Sequence, residues 1–165
     1  MLGQLADWQV EWKWDGIRAQ LLTTGGGSGM LWSRGEESIE ESFPEILECI
    51  PHRPSGVCLD GEILAWGREG LRSFSRLQKR LGRKQPGPSV QKKEPVRFQA
   101  YDLLRIDGDD LRAQPMSERR KQLEKLNHSL PNYLPLGISP LVREKDWATL
   151  EDRRKESRER GVEAV

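Results

Sequence analysis

Short runs of alternating apolar and polar residues, separated by glycine-rich turns, set the character of this chain. They predict strands over residues 9–13 and 17–24. The spacer GGGSG at 25–29 leads into an apolar return at 30–33, so residues 17–33 predict a hairpin. SFPE at 42–45 has the spacing of a capping box with a proline in the first turn, which predicts a short helix to residue 50. Residues 57–66 are the most strand-like stretch. Gly61 lies inside it, where a glycine marks close approach of a ligand or a neighbouring backbone. A helix is expected at 73–81, stopped by Gly82, and a polar loop at 83–95, where prolines and glycines cluster. A strand follows at 96–106, ended by the turn signal of Asp107 and Gly108. Helices are expected at 117–129 and 146–160, and residues 161–165 read as the opening of one more strand. Hairpins with inserted helices point to an α+β domain built on antiparallel sheets, not to a doubly wound sheet.

Composition narrows the class. At 165 residues the chain suffices for one domain with a core. Six tryptophans, 35% hydrophobic and 32% charged residues exclude a disordered composition. A net charge of +1 carries no global footprint of nucleic acid, so any positive surface must be local. No apolar run approaches the ~18 residues of a membrane helix. The start has neither the basic nor the apolar region of a secretory signal. Two cysteines without a CxxC argue against structural zinc and for reduced thiols in a cytosolic protein.

Four stretches carry candidate chemistry. In EWKWDGIR, Lys13 stands between two tryptophans and ahead of Asp15, Gly16 and Arg18, which suggests an amine partly dry and close to both charge signs. An ordinary lysine has a pKa of ~10.4 and becomes a nucleophile only when desolvated or set beside cations. An edge-strand lysine that discourages aggregation gives the same local pattern. In LDGEILAW, Asp60 and Glu62 fall on one face of a strand, and a carboxylate among apolar residues needs a metal, a hydroxyl or an arginine as partner. Arg34 in LWSRGEE offers a forked donor for phosphate or ribose, or is a surface-turn arginine. In FQAYDLL, Phe98 and Tyr101 sit three apart on a strand and face opposite sides, one for the core and one free to stack.

Taken together the set resembles a family. Residues 13–18 fit K-x-D-G-x-R, the nucleophile motif of covalent nucleotidyltransferases. SRG at 33–35, DGEI at 60–63 and FQAYD at 98–102 follow in that superfamily's order, and the details resemble bacterial ATP-dependent DNA ligases. The resemblance runs from Trp8 to the last residue. It implies an adenylation domain of ATP-grasp-like α+β fold that forms lysyl-AMP and passes AMP to the 5′-phosphate of a nick, for sealing by the 3′-hydroxyl. By the same resemblance, Lys13 attacks the α-phosphorus of ATP and Glu11 sits at the adenine edge. Arg18 and Arg34 contact ribose and phosphate, Glu62 binds the ribose hydroxyl or supports a metal, and Tyr101 stacks on adenine where the family more often has phenylalanine. Magnesium or manganese serves as cofactor, and the partner is nicked double-stranded DNA. A cytosolic, bacterial, monomeric enzyme of DNA repair and replication is the expectation.

RGVE at 160–163 resembles the approach to the family's fourth motif, with Glu163 as its metal-linked carboxylate and Ala164 where glycine is usual. The expectation is therefore a partial adenylation domain over residues 1–165. The rest of that motif, the OB domain and the helical DNA-binding domain lie outside it. An RNA ligase or capping-type enzyme, or a non-catalytic remnant that binds nucleotide or DNA, remain open. Residues 72–93 hold eight basic side chains and no acidic one. Arg76, Lys79, Arg80, Arg83 and Lys84 are therefore expected to track a phosphate backbone, with a solvated basic loop as the alternative.

Overall fold

The computed structural model describes residues 3–50 and 54–165. The chain divides into two compact units, one spanning Gly16–Ile138 and the other combining the segment up to Asp15 with Ser139–Val165.

The larger unit is a curled sheet with helices. Its strands are β1 (Ile17–Thr23), β2 (Gly29–Ser33), β3 (Cys58–Gly67), β4 (Gly70–Leu71), β5 (Val96–Ile106), β6 (Asp109–Asp110) and β7 (Leu136–Ile138). They lie in the order β2-β1-β3-β5-β6, with β4 beside β3 and β7 beside β5. The hairpin of β1 and β2 forms as its alternation predicts: Ala19, Leu21 and Leu31 are buried while Arg18, Gln20 and Trp32 point away. The core joins these to Leu59, Ile63, Phe98, Ala100 and Leu103 from β3 and β5, and to Phe43, Ile46, Leu77 and Leu123 from the helices. Each such fully buried large side chain contributes about 1.5–3 kcal/mol.

Gly61 is where two strands come closest. A Cβ there would lie 2.6 Å from the Gln99 carbonyl and 2.7 Å from the Phe98 ring, so any larger residue would push β5 off β3. Between Asp60 and Gly61 the register with β5 slips, opposite Tyr101. Asp107 and Gly108 both adopt positive φ, 52° and 92°, as a tight primed hairpin turn between β5 and β6 requires.

The helices of this unit are α1 (Pro44–Leu47), α2 (Phe74–Gln78), α3 (Pro88–Lys93) and α4 (Met116–His128). Three expectations are corrected. Phe43, not Ser42, precedes α1, and no side chain caps it, so SFPE is not a capping box here; proline at the first position sets the start. The polar stretch 83–95 contains α3, because Pro88 is tolerated in a first turn that needs no N–H from it. β7 was hidden in a three-residue apolar run and pairs parallel to β5, a departure from an otherwise antiparallel sheet among the described residues.

In the smaller unit, residues 9–13 are extended as expected, held by single bridges instead of a full ladder. Glu11 pairs with Leu141 on one side and Lys13 with Ala164 on the other. That second bridge is all the structure shows of the expected strand at 161–165. The expected helix 146–160 is split into α5 (Trp147–Arg154) and α6 (Ser157–Arg160). Asp146 caps α5 by accepting from the Thr149 amide at 2.8 Å while the Thr149 hydroxyl returns to the Asp146 backbone. Leu5, Trp12, Leu150 and Val162 are the buried apolar residues here, and the Arg160 guanidinium lies 5.1 Å over the Trp12 ring.

Candidate functional site

The segment carrying Lys13 is fixed by its backbone. The Lys13 amide donates to the Ala164 carbonyl at 2.8 Å, the Glu163 amide donates to the Lys13 carbonyl at 2.9 Å, and the Val142 amide donates to Val10 at 2.8 Å. Strand alternation then puts Trp12 into the packed side of the unit and Glu11 and Lys13 on the other. The expectation of a partly dry lysine is corrected: the Lys13 side chain is 69% exposed. Trp12 is buried on the opposite face, and Trp14 donates from its indole to Ser139 at 3.0 Å instead of covering the amine. What the ammonium does meet is the Glu163 carboxylate, in an ion pair.

The larger unit gathers a second group on the face of the sheet away from the core. Arg18 on β1 pairs across to Glu62 on β3, and Glu62 pairs across to Gln99 on β5. Arg18 reaches diagonally to Asp60, with Nη2 donating at 2.7 Å and Nε at 3.3 Å. The Tyr101 hydroxyl donates to the same carboxylate at 3.1 Å. Asp60, raised by the sequence only as a carboxylate in need of a partner, thus has two of the partner types it called for. It anchors both Arg18 and Tyr101 although it was not counted among the site residues. The Arg34 amide donates to the Arg18 carbonyl at 3.1 Å from the turn that follows β2, which sets the two arginines side by side. A hollow of about 540 Å³ opens among Arg18, Gln20, Trp32, Arg34 and Asp60. Trp32 and Gln20 were missed in the sequence; their exposed positions on alternating strands, each two residues from a candidate arginine, are the signal that finds them.

Gly16 opens this unit. A Cβ there would strike the Ile63 carbonyl and lie 2.7 Å from the Glu62 Cγ, so the glycine of K-x-D-G is what lets β1 begin against Glu62. The electrostatics follow from the contacts. The hydrogen bond to Asp60 and the nearby anionic groups push the Arg18 guanidinium further into its charged form. Burial first, and then the Asp60 charge, push the Tyr101 phenol well above its ordinary range, so it stays protonated and remains a donor.

Among the described residues no three His, Cys, Asp or Glu side chains converge as a metal cage. Magnesium does not require one, because it usually takes one or two carboxylates together with the phosphates of a nucleotide. Glu62 and Glu163 are carboxylates in different units, Glu163 being paired with Lys13 as Asp60 is with Arg18.

The basic run resolves differently from its expected role. Arg80 is fully buried, forks onto Glu45 at 2.7 and 2.8 Å, donates to the Ser42 and Glu94 carbonyls and lies 5.4 Å over Phe43. It is a core arginine and no phosphate reaches it. Arg76 and Lys79 converge on Glu94 at 3.0 and 3.7 Å, and Lys84 on Glu41 at 3.5 Å. Carboxylates drawn in from other segments therefore offset a run that looks uniformly basic in sequence; Arg83 is exposed.

Comparison with known proteins gives a consistent result. The family described as ATP dependent DNA ligase domain matches residues 2–165. A probable DNA ligase of Opitutus terrae is 42% identical over 78% of this chain and 13% of its own length. The ligase domain from M. tuberculosis LigD superposes with a TM-score of 0.74 at 27% identity, over 99% of this chain and 48% of that one. A mycobacterial DNA ligase D complexed with ATP and MES gives 0.69 at 27% identity, over 99% of this chain and 47% of that one. The chain spans less than a third of the length of the curated relatives it matches. No helix among the described residues is long and apolar enough to cross a membrane.

Proposed function

This chain belongs to the ATP-dependent DNA ligase domain family, and from that premise we propose that it is the adenylating part of a DNA ligase, with Lys13 as the nucleophile. The observation that carries the reading is the K-x-D-G-x-R frame at 13–18 in a chain matched by that family over residues 2–165, with Lys13 on a segment bonded through its backbone on both sides. Attack needs the neutral amine, and contact with Nζ supports Glu163 as the acceptor of its proton. The amine then bonds to the α-phosphorus of ATP while the bond to the β-phosphate breaks and pyrophosphate leaves. AMP passes from Lys13 to the 5′-phosphate of a nick, and the 3′-hydroxyl displaces it.

We assign Glu11 to the adenine edge, Arg18 and Arg34 to ribose and phosphate, and Tyr101 to stacking. Glu62 takes the ribose hydroxyl or supports a metal, and Glu163 is a metal-linked carboxylate; magnesium would supply charge neutralisation on the phosphates. Anchoring on Asp60 supports the role of Arg18: a guanidinium held before substrate arrives costs less to order. Residues 1–165 are read as part of one adenylation domain, within a monomeric, cytosolic enzyme whose substrate is nicked duplex DNA.

The test is labelling of the complete product of the reading frame with α-³²P-ATP, followed by nick sealing. Wild type should take an acid-labile label and Lys13→Arg none, because arginine keeps the charge but offers no free amine. A labelled Lys13→Arg protein would sink the assignment. Sealing of nicked RNA in preference to nicked DNA would move the enzyme to another branch of the superfamily.

A further inference from the structure

We propose that Gln99 reads the 6-amino group of the adenine ring, and so makes the site select ATP over 6-oxo purine nucleotides; this rests on the ATP-binding reading above. Gln99 is 5% exposed and stands on β5 between Phe98 and Ala100, which are fully buried in the core. Alternation turns Gln99 to the opposite face, the one that carries Glu62 directly across on β3. Tyr101, the residue assigned to stacking, lies two positions further along the same strand.

The amide has one fixed orientation. Its nitrogen donates to the Ile138 carbonyl at 2.6 Å, and since a carbonyl only accepts, the nitrogen must face it. The Gln99 Oε1 is left buried with no hydrogen-bond partner among the described residues. A strand position that asked only for packing would be served by leucine or methionine without an orphaned acceptor. Buried polar groups without partners are rare, and this one lies on the face that the nucleotide residues share.

The acceptor defines its ligand. It needs a donor, and at the 6-position of a purine stacked near Tyr101 there is one only if the substituent is an amino group. Adenine has N6–H₂ there; hypoxanthine and guanine have a carbonyl oxygen, which would face Oε1 with like partial charge. The 6-amino group carries two hydrogens, so assigning Glu11 to the adenine edge leaves one for Gln99; the ribose hydroxyls, the other donors of ATP, have the Glu62 carboxylate across the strand as the stronger acceptor.

The experiment measures binding of ATP, inosine triphosphate, purine riboside triphosphate and 2′-deoxy-ATP to the complete product of the reading frame. Gln99→Leu and Gln99→Glu are run beside wild type, with folding checked by circular dichroism. A site built around a hydrogen bond rejects the analogue that lacks the donor more strongly than it rejects a change in size. Wild type should favour ATP over inosine triphosphate and over purine riboside triphosphate by about tenfold or more. In Gln99→Leu the ratio should fall about fivefold or more, the loss of one hydrogen bond, and in Gln99→Glu, which keeps an acceptor, it should persist. An unchanged ratio in Gln99→Leu overturns the proposal, as does a change confined to 2′-deoxy-ATP, which would assign Gln99 to the ribose. Should Gln99→Leu fail to fold, the Gln99→Glu ratio decides alone: its loss overturns the proposal. If wild type binds none of the four nucleotides, the ATP reading itself falls; ATP bound without discrimination sinks only the role of Gln99.

Discussion

Two arginine–carboxylate pairs in the larger unit have the same chemistry and opposite uses. Arg80 and Glu45 are 0% and 12% exposed, and Nη1 and Nη2 donate to Glu45 and two backbone carbonyls while Nε is buried with no hydrogen-bond partner among the described residues. Arg18 and Asp60 are 53% and 8% exposed: the carboxylate is buried and the guanidinium leans out over the hollow shared with Arg34. In the first pair both charges lose water, and the gain is a rigid joint between the turn after α2 and α1. In the second only the carboxylate loses water. It holds the cation in place while leaving it hydrated and available. What leaves Arg18 open to a ligand, and Arg80 closed to one, is the asymmetry of burial within the pair and not the pair itself.

The comparison breaks most visibly at Arg80. Arg80→Leu leaves Glu45 charged beneath the surface, and removing one partner of a buried pair costs about 3–5 kcal/mol. Urea unfolding followed by tryptophan fluorescence should show that loss, with nucleotide affinity of the folded fraction unchanged. Exchanging both partners, Arg80→Leu with Glu45→Leu, should recover much of it. Weakened nucleotide binding with intact stability would mean that Arg80 reaches the ligand after all.

Asp60→Asn tests the other pair. Half-exposed Arg18 is screened by solvent, so stability should fall by only about 1 kcal/mol. The amide nitrogen of asparagine cannot accept from Arg18, and the guanidinium loses its fixed direction. Nucleotide affinity should drop about tenfold, the equivalent of ~1.4 kcal/mol. If stability collapses and affinity holds, Asp60 belongs with Glu45 as a structural anchor.

The sequence told these pairs apart poorly, for a physical reason. Local pattern reports which residues alternate, and on that basis the hairpin, β3, β5 and the close approach at Gly61 were legible. It does not report what arrives from a distance. Glu45 is thirty-five positions from Arg80, and Asp60 is forty-two from Arg18. One local signal was available: Arg80 lies one helical turn beyond the buried Leu77 and so shares its inward side. Neighbouring tryptophans suggested a dry Lys13, but alternation sends Trp12 to the other face. The helix at 88–93 and the strand at 136–138 escaped because prolines and short length mask elements that tertiary pairing then stabilises.

The smallest effect is the most diagnostic of how Asp60 is shared. Tyr101→Phe removes the hydroxyl that donates to Asp60 but keeps the ring face, and Arg18 still compensates the carboxylate. At pH 8 the loss of one hydrogen bond should cost about 0.5–1.5 kcal/mol of stability. Nucleotide affinity should stay within about threefold of wild type, whereas Tyr101→Ala should lose much more. The contribution weakens in alkali. Burial and the Asp60 charge hold the folded phenol above the ~10 of an unfolded tyrosine, so its contribution is intact below that pH and is lost as pH rises towards the folded value. Phenylalanine has no proton to lose, so the stability gap should narrow between pH 8 and pH 10.5 and wild type should fall faster. Denaturation of both proteins at the two pH values reads this directly. A gap that widens in alkali would mean that the phenolate, not the phenol, is the stabilised form, and that the hydroxyl does not donate to Asp60.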